Sequence, residues 1–149
     1  MFIIALYQPD IPQNTASIIR LCSCFDVTLE IIEPCGFNLD DKRLKRVAMD
    51  YLDKEKIIVH KSYENFLTNK KNSRVILMTT KSKKKFTEFK FKPKDILLFG
   101  RESSGVPKKV WENSFEKLLI PLKNNKRSLN ISVAAAITLA EALKQNTFF

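Results

Sequence analysis

Short apolar runs recur along the chain, at residues 2–7, 27–32, 57–59, 75–79, 96–99 and 118–122. Each has strand length and is rich in Ile, Val and Leu, without the in-out alternation of a half-solvated strand. Segments of helical period lie between most of them. Pro12 opens one that reaches to about Cys24, Asp40 caps another toward Asp53, Ser62 caps a short one through Leu67, and Pro107 opens a short one through Trp111. A last helix is expected over 131–144, with Val133, Ala136, Ile137, Leu139, Ala140 and Leu143 around most of its circumference, so it should be buried, with a subunit interface as one way to bury it. Strands alternating with helices, and apolar on both sides, predict an α/β fold with a mostly parallel sheet covered by helices on both faces.

The chain has 149 residues, 44% of them hydrophobic, which suits a single domain over 1–149. Lys and Arg total 26 against 16 acids, a formal charge of +10 that should gather polyanions at the surface. Charge alone fits a nucleic-acid partner and equally an incidentally basic protein. Cys22, Cys24 and Cys35 are odd in number and lack C-x-x-C spacing, and the single His60 completes no ligand cluster, so no metal site is expected and the thiols should be reduced in a cytoplasmic protein. The N-terminus has no basic leader and no run approaches membrane-spanning length, so a soluble, unprocessed chain is expected.

One stretch is biased: Lys81, Lys83, Lys84, Lys85, Lys90, Lys92 and Lys94 are interleaved with Phe86, Phe89 and Phe91. It reads either as an RNA-contacting loop, with lysines on phosphates and a phenylalanine free to stack, or as a solvated loop whose phenylalanines tuck onto the core; the second is favoured, because lysine runs are usually solvated.

Three places carry candidate chemistry. Only three glycines occur, where about ten would be average, and Gly100 and Gly105 bracket the segment FGRESSGVP directly after the 96–99 strand. Ligands of open α/β sheets gather at such strand ends, and glycine there admits a ligand close to the backbone. Val106-Pro107 stands where a P-loop needs Lys and Ser/Thr, and G-x-G-x-x-G is absent, which disfavours nucleoside triphosphates and dinucleotides. On the first helix, Asn14, Ser17 and Arg20 share one side, away from the core stripe of Ile18, Ile19, Cys22 and Phe25. The third place is Ile120-Pro121-Leu122, a polar loop, and then Ser128-Leu129-Asn130-Ile131-Ser132, where three polar residues exceed what helix capping requires.

Together, Asn14 to Arg20, FGRESSGVP and IPLKNNKRSLNIS resemble the three ordered motifs of the SPOUT class of RNA methyltransferases, and within it the YibK-like tRNA wobble-nucleotide 2′-O-methyltransferases. The resemblance covers essentially the whole chain, LYQPDIPQNTASIIRLC and IIEPCGFNLDDKRLKRVAMDY included. Asp26 stands near where the subfamily usually has glycine, and Ser132-Val133-Ala134 is closer to the broader ribose methyltransferase pattern than to the usual serine-asparagine pair.

The resemblance implies a homodimer with a composite active site and a trefoil knot near the C-terminus, a topology that a reading from periodicity alone would reject. It implies S-adenosylmethionine as cofactor, S-adenosylhomocysteine as product and tRNA as substrate. Met78, Gly100, Ile120 and Ser128 match cofactor-contacting positions, and Leu122 and Leu129 would add apolar walls. Asn14, Arg20, Glu102, Ser128 and Asn130 match the polar catalytic constellation, with Arg20 reaching the partner's site. The expected reaction is in-line attack of a ribose 2′-oxygen on a sulfonium methyl group, the guanidinium stabilising developing charge while phosphate or water takes the proton. Alternatives are a SPOUT enzyme of another tRNA or rRNA position, a basic RNA-binding module without catalysis, and a metabolic α/β enzyme.

Overall fold

The computed structural model describes residues 1–40, 42, 44, 46, 56–70, 72–123 and 126–147. Six strands, β1 (Ile3–Tyr7), β2 (Thr28–Ile32), β3 (Ile57–His60), β4 (Val75–Met78), β5 (Ile96–Phe99) and β6 (Glu116–Leu118), form one parallel sheet in the order β3-β2-β1-β5-β4-β6. The described helices are α1 (Pro12–Cys24), α2 (Tyr63–Thr68), α3 (Lys108–Asn113) and α4 (Ile131–Gln145).

Successive residues of a strand face opposite sides of the sheet, and over β1, β2, β4 and β5 both sides are covered, while Ile58 and Val59 of the edge strand β3 stay exposed. Ile4, Leu6, Leu29, Ile31, Ile76, Leu97 and Phe99 pack with Ala16, Ile18, Ile19 and Cys22 of α1 and Ala135, Leu139, Ala142 and Leu143 of α4. Ala5, Tyr7, Ile32, Val75, Leu77, Ile96 and Leu98 pack on the other side with Tyr63 and Phe66 of α2 and Val110 of α3. That double burial explains the unbroken apolar runs.

Local chemistry sets the helix ends. Pro12 supplies a fixed φ where no amide donor is needed. Beyond α1 the chain reverses through Asp26 at φ 56°, with the Val27 N–H donating to the Cys22 carbonyl at 2.9 Å. This left-handed position explains a preference for glycine; aspartate is among the few other residues that tolerate it. The Ser62 hydroxyl accepts from the Asn65 N–H and starts α2, as expected. The helix expected from Asp40 toward Asp53 lies outside the described residues over most of its span.

One expectation needs correction. The last strand is Glu116–Leu118 rather than 118–122. Thr79 donates to the Leu118 carbonyl at 2.8 Å as β4 ends, and Leu119 then pairs with the lysine-rich segment, its N–H donating to the Lys84 carbonyl at 2.9 Å and its carbonyl accepting from Phe86 at 3.0 Å. Two residues on, Pro121 has no N–H to continue a ladder. The chain from Ile120 is thereby released toward the carboxyl ends of the strands. Within the single chain α4 is buried on one side: Val133 and Ile137 remain 46% and 36% exposed, and Ala140 continues their stripe, so burial of this side would need the subunit interface named from the sequence.

In the lysine-rich segment the phenylalanines tuck onto the core, as the favoured reading has them. Phe86, Phe89 and Phe91 are buried in the core while the lysines between them are exposed.

Candidate functional site

From β1 the chain runs through α1 to β2 on one side of the sheet, and from β5 through α3 to β6 on the other. The crevice between such diverging strands, at their carboxyl ends, is where open α/β sheets bind ligands. Beside that crevice a cavity of about 760 Å³ opens at the carboxyl ends of β4 and β5, walled by residues 100–106, by Ile120, Leu122 and residues 127–131, and by Ile11 and Asn14 at the start of α1.

The turn after β5 is closed on itself. Arg101 and Gly105 exchange two backbone hydrogen bonds, both 2.9 Å, and Gly105 sits at φ +68°. A Cβ on Gly100 would lie 2.7 Å from the Gly105 carbonyl carbon, so glycine is needed there first for the chain's own closure. The close approach expected at Gly100 is thus taken up by the loop folding onto itself, and Gly100 still borders the cavity.

Asp10, in the loop after β1, holds this turn in place. Its carboxylate accepts from the Ser103 hydroxyl at 2.6 Å, the Ser103 N–H at 3.1 Å, and Arg101 Nη2 at 2.8 Å. Its own N–H donates to Glu102 Oε2 at 2.8 Å. The Arg101 hydrogen bond, followed by that of the Ser103 hydroxyl, holds the Asp10 carboxyl below the usual aspartate range.

A chain of side-chain hydrogen bonds continues from Glu102. Asn14 donates Nδ2 to Glu102 Oε1 at 3.2 Å, and Asn130 donates Nδ2 to Asn14 Oδ1 at 2.9 Å. Asn130 Oδ1 accepts from the N–H and hydroxyl of Ser132 at 2.8 and 2.6 Å, which caps α4. Residues from three distant stretches of sequence thereby form one polar wall. Opposite chemistry comes from Met78, Ile120, Leu122 and Leu129, which supply apolar surface, and Lys81 and Arg127 add positive charge.

The four positions matched to cofactor contact, Met78, Gly100, Ile120 and Ser128, border the cavity, as do Leu122 and Leu129, expected as apolar walls, and Asn14, Glu102, Ser128 and Asn130 of the polar constellation. Arg20 does not. It is exposed on α1, outside the cavity of its own chain. Sequence reasoning missed Asp10, Arg101 and Ser103. The last two lay inside the FGRESSGVP motif and Asp10 inside the LYQPDIPQNTASIIRLC stretch, but they are more than 90 residues apart and nothing in the sequence pairs them. Among the described residues no group of His, Cys, Asp and Glu could hold a metal ion, and no helix is long and apolar enough to cross a membrane.

This fold and site are those of a methyltransferase class: the sequence profile of the SpoU rRNA methylase family matches residues 1–140. The chain belongs to that family. A tRNA (cytidine(34)-2′-O)-methyltransferase of Beijerinckia indica is 46% identical over 95% of this chain and 90% of its own length. A structure solved in a study of 2′-OH methylation of C/U34 on tRNA superposes with a TM-score of 0.94 at 35% identity, covering 100% of this chain and 98% of that one. The AviRb SpoU methyltransferase of Streptomyces viridochromogenes, solved in complex with AdoMet, shares the fold at a TM-score of 0.88 and 20% identity, over 97% of this chain and 57% of its own.

Proposed function

We propose that the chain transfers a methyl group from S-adenosylmethionine to the ribose 2′-hydroxyl of the wobble nucleotide of tRNA, in the cytoplasm. The observation that carries this reading is the joining, in one cavity, of the six positions expected around the cofactor with the Glu102–Asn14–Asn130 chain. The relatives named for cytidine-34 methylation cover nearly the whole chain and support the same reaction.

The residues present fit the cofactor. The cavity lies within the usual range for small-molecule sites, and it combines apolar side chains for an adenosine with loop backbone groups to hydrogen-bond it. Met78, Gly100, Ile120, Leu122, Ser128 and Leu129 would hold it there. Once bound, it supplies an electrophilic methyl on a sulfonium sulfur and departs as S-adenosylhomocysteine. The protein's part is orientation: Glu102, Asn14 and Asn130 brace one another and fix the polar wall beside which the ribose must lie, so little reorganisation is left for the reaction itself.

Arg20 enters by pairing of two chains. The exposed stripe of Val133 and Ile137 on α4, beside α1, suits burial against a second copy, and a homodimer closed over these helices brings Arg20 of one chain to the cavity of the other. There its guanidinium stabilises the developing negative charge on the 2′-oxygen, while a substrate phosphate or water accepts the proton, since guanidinium stays charged. The trefoil knot belongs to the same proposal, with Ile120, Leu122 and residues 127–131 on the knotted part of the chain that walls the cofactor.

The test is to incubate the protein with methyl-labelled S-adenosylmethionine and tRNA lacking its own modification, digest to nucleosides, and map the label. A 2′-O-methylated nucleoside at the anticodon's first position is the expected product. Transfer to ribosomal RNA alone would favour the other reaction, which the family's description suggests.

A further inference from the structure

The lysine-rich segment leaves the cavity and crosses the whole height of the sheet. Lys81 borders the cavity at the carboxyl end of β4. The chain then runs beside β6, with the Ser82 hydroxyl donating to the Lys117 carbonyl at 2.7 Å and Lys85 bridging to Leu119. It ends at the opposite edge, where the Lys94 N–H donates to the Met1 carbonyl at 3.0 Å. A four-residue strand alone spans about 13 Å, too far for one small anion to bridge and well suited to a polymer of phosphates.

Its charges are sorted. Between residues 79 and 95 there are seven lysines and two acids. Asp95 is buried and takes Arg74 at 2.7 and 2.5 Å, and Glu88 pairs with Lys85. Lys84 is held by Glu116. The ammonium groups of Lys81, Lys83, Lys90, Lys92 and Lys94 meet no carboxylate among the described residues.

The segment is also held rigidly. Phe86, Phe89 and Phe91 are buried, and Gln145 at the end of α4 accepts from the Phe91 N–H at 2.9 Å and donates to the Phe89 carbonyl at 3.1 Å. A band of charge on an anchored backbone gives up less conformational freedom on binding than a loose loop would. Because the phenylalanines are buried, only the phosphate-binding half of the RNA reading remains; their rings are not available to bases.

We propose that Lys83, Lys90 and Lys92 bind the phosphate backbone of the substrate RNA, on a track leading away from the cavity. This rests on the reading that the cavity methylates RNA, since Lys81, where the track begins, borders the cavity that would receive the ribose.

The experiment compares the wild-type chain with Lys83→Gln/Lys90→Gln/Lys92→Gln and with the matching triple arginine variant, measuring binding of unmodified tRNA over a range of salt, binding of S-adenosylmethionine, and methyl transfer. In the glutamine variant, tRNA binding and KM weaken roughly tenfold to a hundredfold and the slope of log affinity against log salt falls by about 2–3, while cofactor affinity and kcat at saturating tRNA hold. The arginine variant behaves as wild type. Unchanged tRNA affinity and salt slope would overturn the track and leave the methyltransferase reading standing, as would equal losses in both variants. A wild-type chain that methylates no RNA would defeat the reaction instead, and a glutamine variant that still lost tRNA binding would keep the track. Weakened binding of an acidic protein with no change toward RNA would assign the surface to a different partner and overturn the proposal.

Discussion

Asp10 and Ser103, 93 residues apart, are joined by two hydrogen bonds from one serine to a single carboxylate oxygen, 2.6 Å from the hydroxyl and 3.1 Å from the N–H. The same aspartate holds Arg101 with its other oxygen and Glu102 with its N–H, so three consecutive residues of the turn after β5 are fixed by one residue after β1. Position in the turn is therefore a property of Asp10.

Asp10→Asn keeps the shape but loses the charge, and should lower kcat roughly tenfold through a displaced Glu102, with a smaller effect on tRNA affinity. Steady-state kinetics check this. The pH dependence has a definite sign: a carboxyl lowered in the folded chain adds stability above its ordinary value near 3.8, lost as pH falls through the lowered folded value. Melting curves of wild type and Asp10→Asn should be separated by a constant gap at neutral pH that closes below about pH 4.

Gly100→Ala places a methyl 2.7 Å from the Gly105 carbonyl carbon, where backbone and not a flexible side chain must yield. The expected cost is about 1–3 kcal/mol with loss of cofactor binding. Gly105→Ala is the informative comparison. No atom lies within 4 Å of its added Cβ, so only the left-handed φ is penalised, by about 1–2 kcal/mol. Calorimetry of the two, with S-adenosylmethionine titrated into each, separates crowding from backbone strain.

Asn130 does two jobs that substitution can part. Asn130→Ala removes the cap of α4 and should cost about 1 kcal/mol as well as activity. Asn130→Asp still accepts from Ser132 but cannot donate to Asn14, so thermal stability should return to near wild type while kcat stays low.

Arg20 tests the two-chain site. Arg20→Ala and Glu102→Ala are each expected to be inactive alone, with folding intact. Mixed at equal amounts after dissociation, half the pairs become heterodimers, each with one complete site, and about a quarter of wild-type activity should appear. No recovery would mean that Arg20 serves its own chain or none.

The α/β fold was readable because strands buried on both faces leave continuous apolar runs, and Pro12, Ser62 and Asn130 mark helix starts by local chemistry alone. The end of β6 was not, because its limit is set by Leu119 turning to pair with Lys84 and Phe86, a choice between partners that hydropathy does not encode. The cavity residues were legible through motif resemblance. Asp10 was not: it lies in the LYQPDIPQNTASIIRLC stretch, but nothing in the sequence pairs it with Arg101 until the fold brings them together. Arg20 shows a similar limit: its place on α1 is plain from the sequence, but it does not line the cavity of its own chain, and only the proposed pairing would give it one to serve.

Asn130 opens α4 inside the cavity wall, and Val133 and Ile137 follow within the next two turns on the same helix. Any ligand that steadies the first turn of α4 also steadies the stripe that a second copy would cover. Under the proposed pairing the two equilibria are linked, and linkage is reciprocal: whatever factor a bound ligand adds to the affinity of one chain for another, pairing adds to the affinity for that ligand. Dilution would then weaken cofactor binding as well as separate the chains.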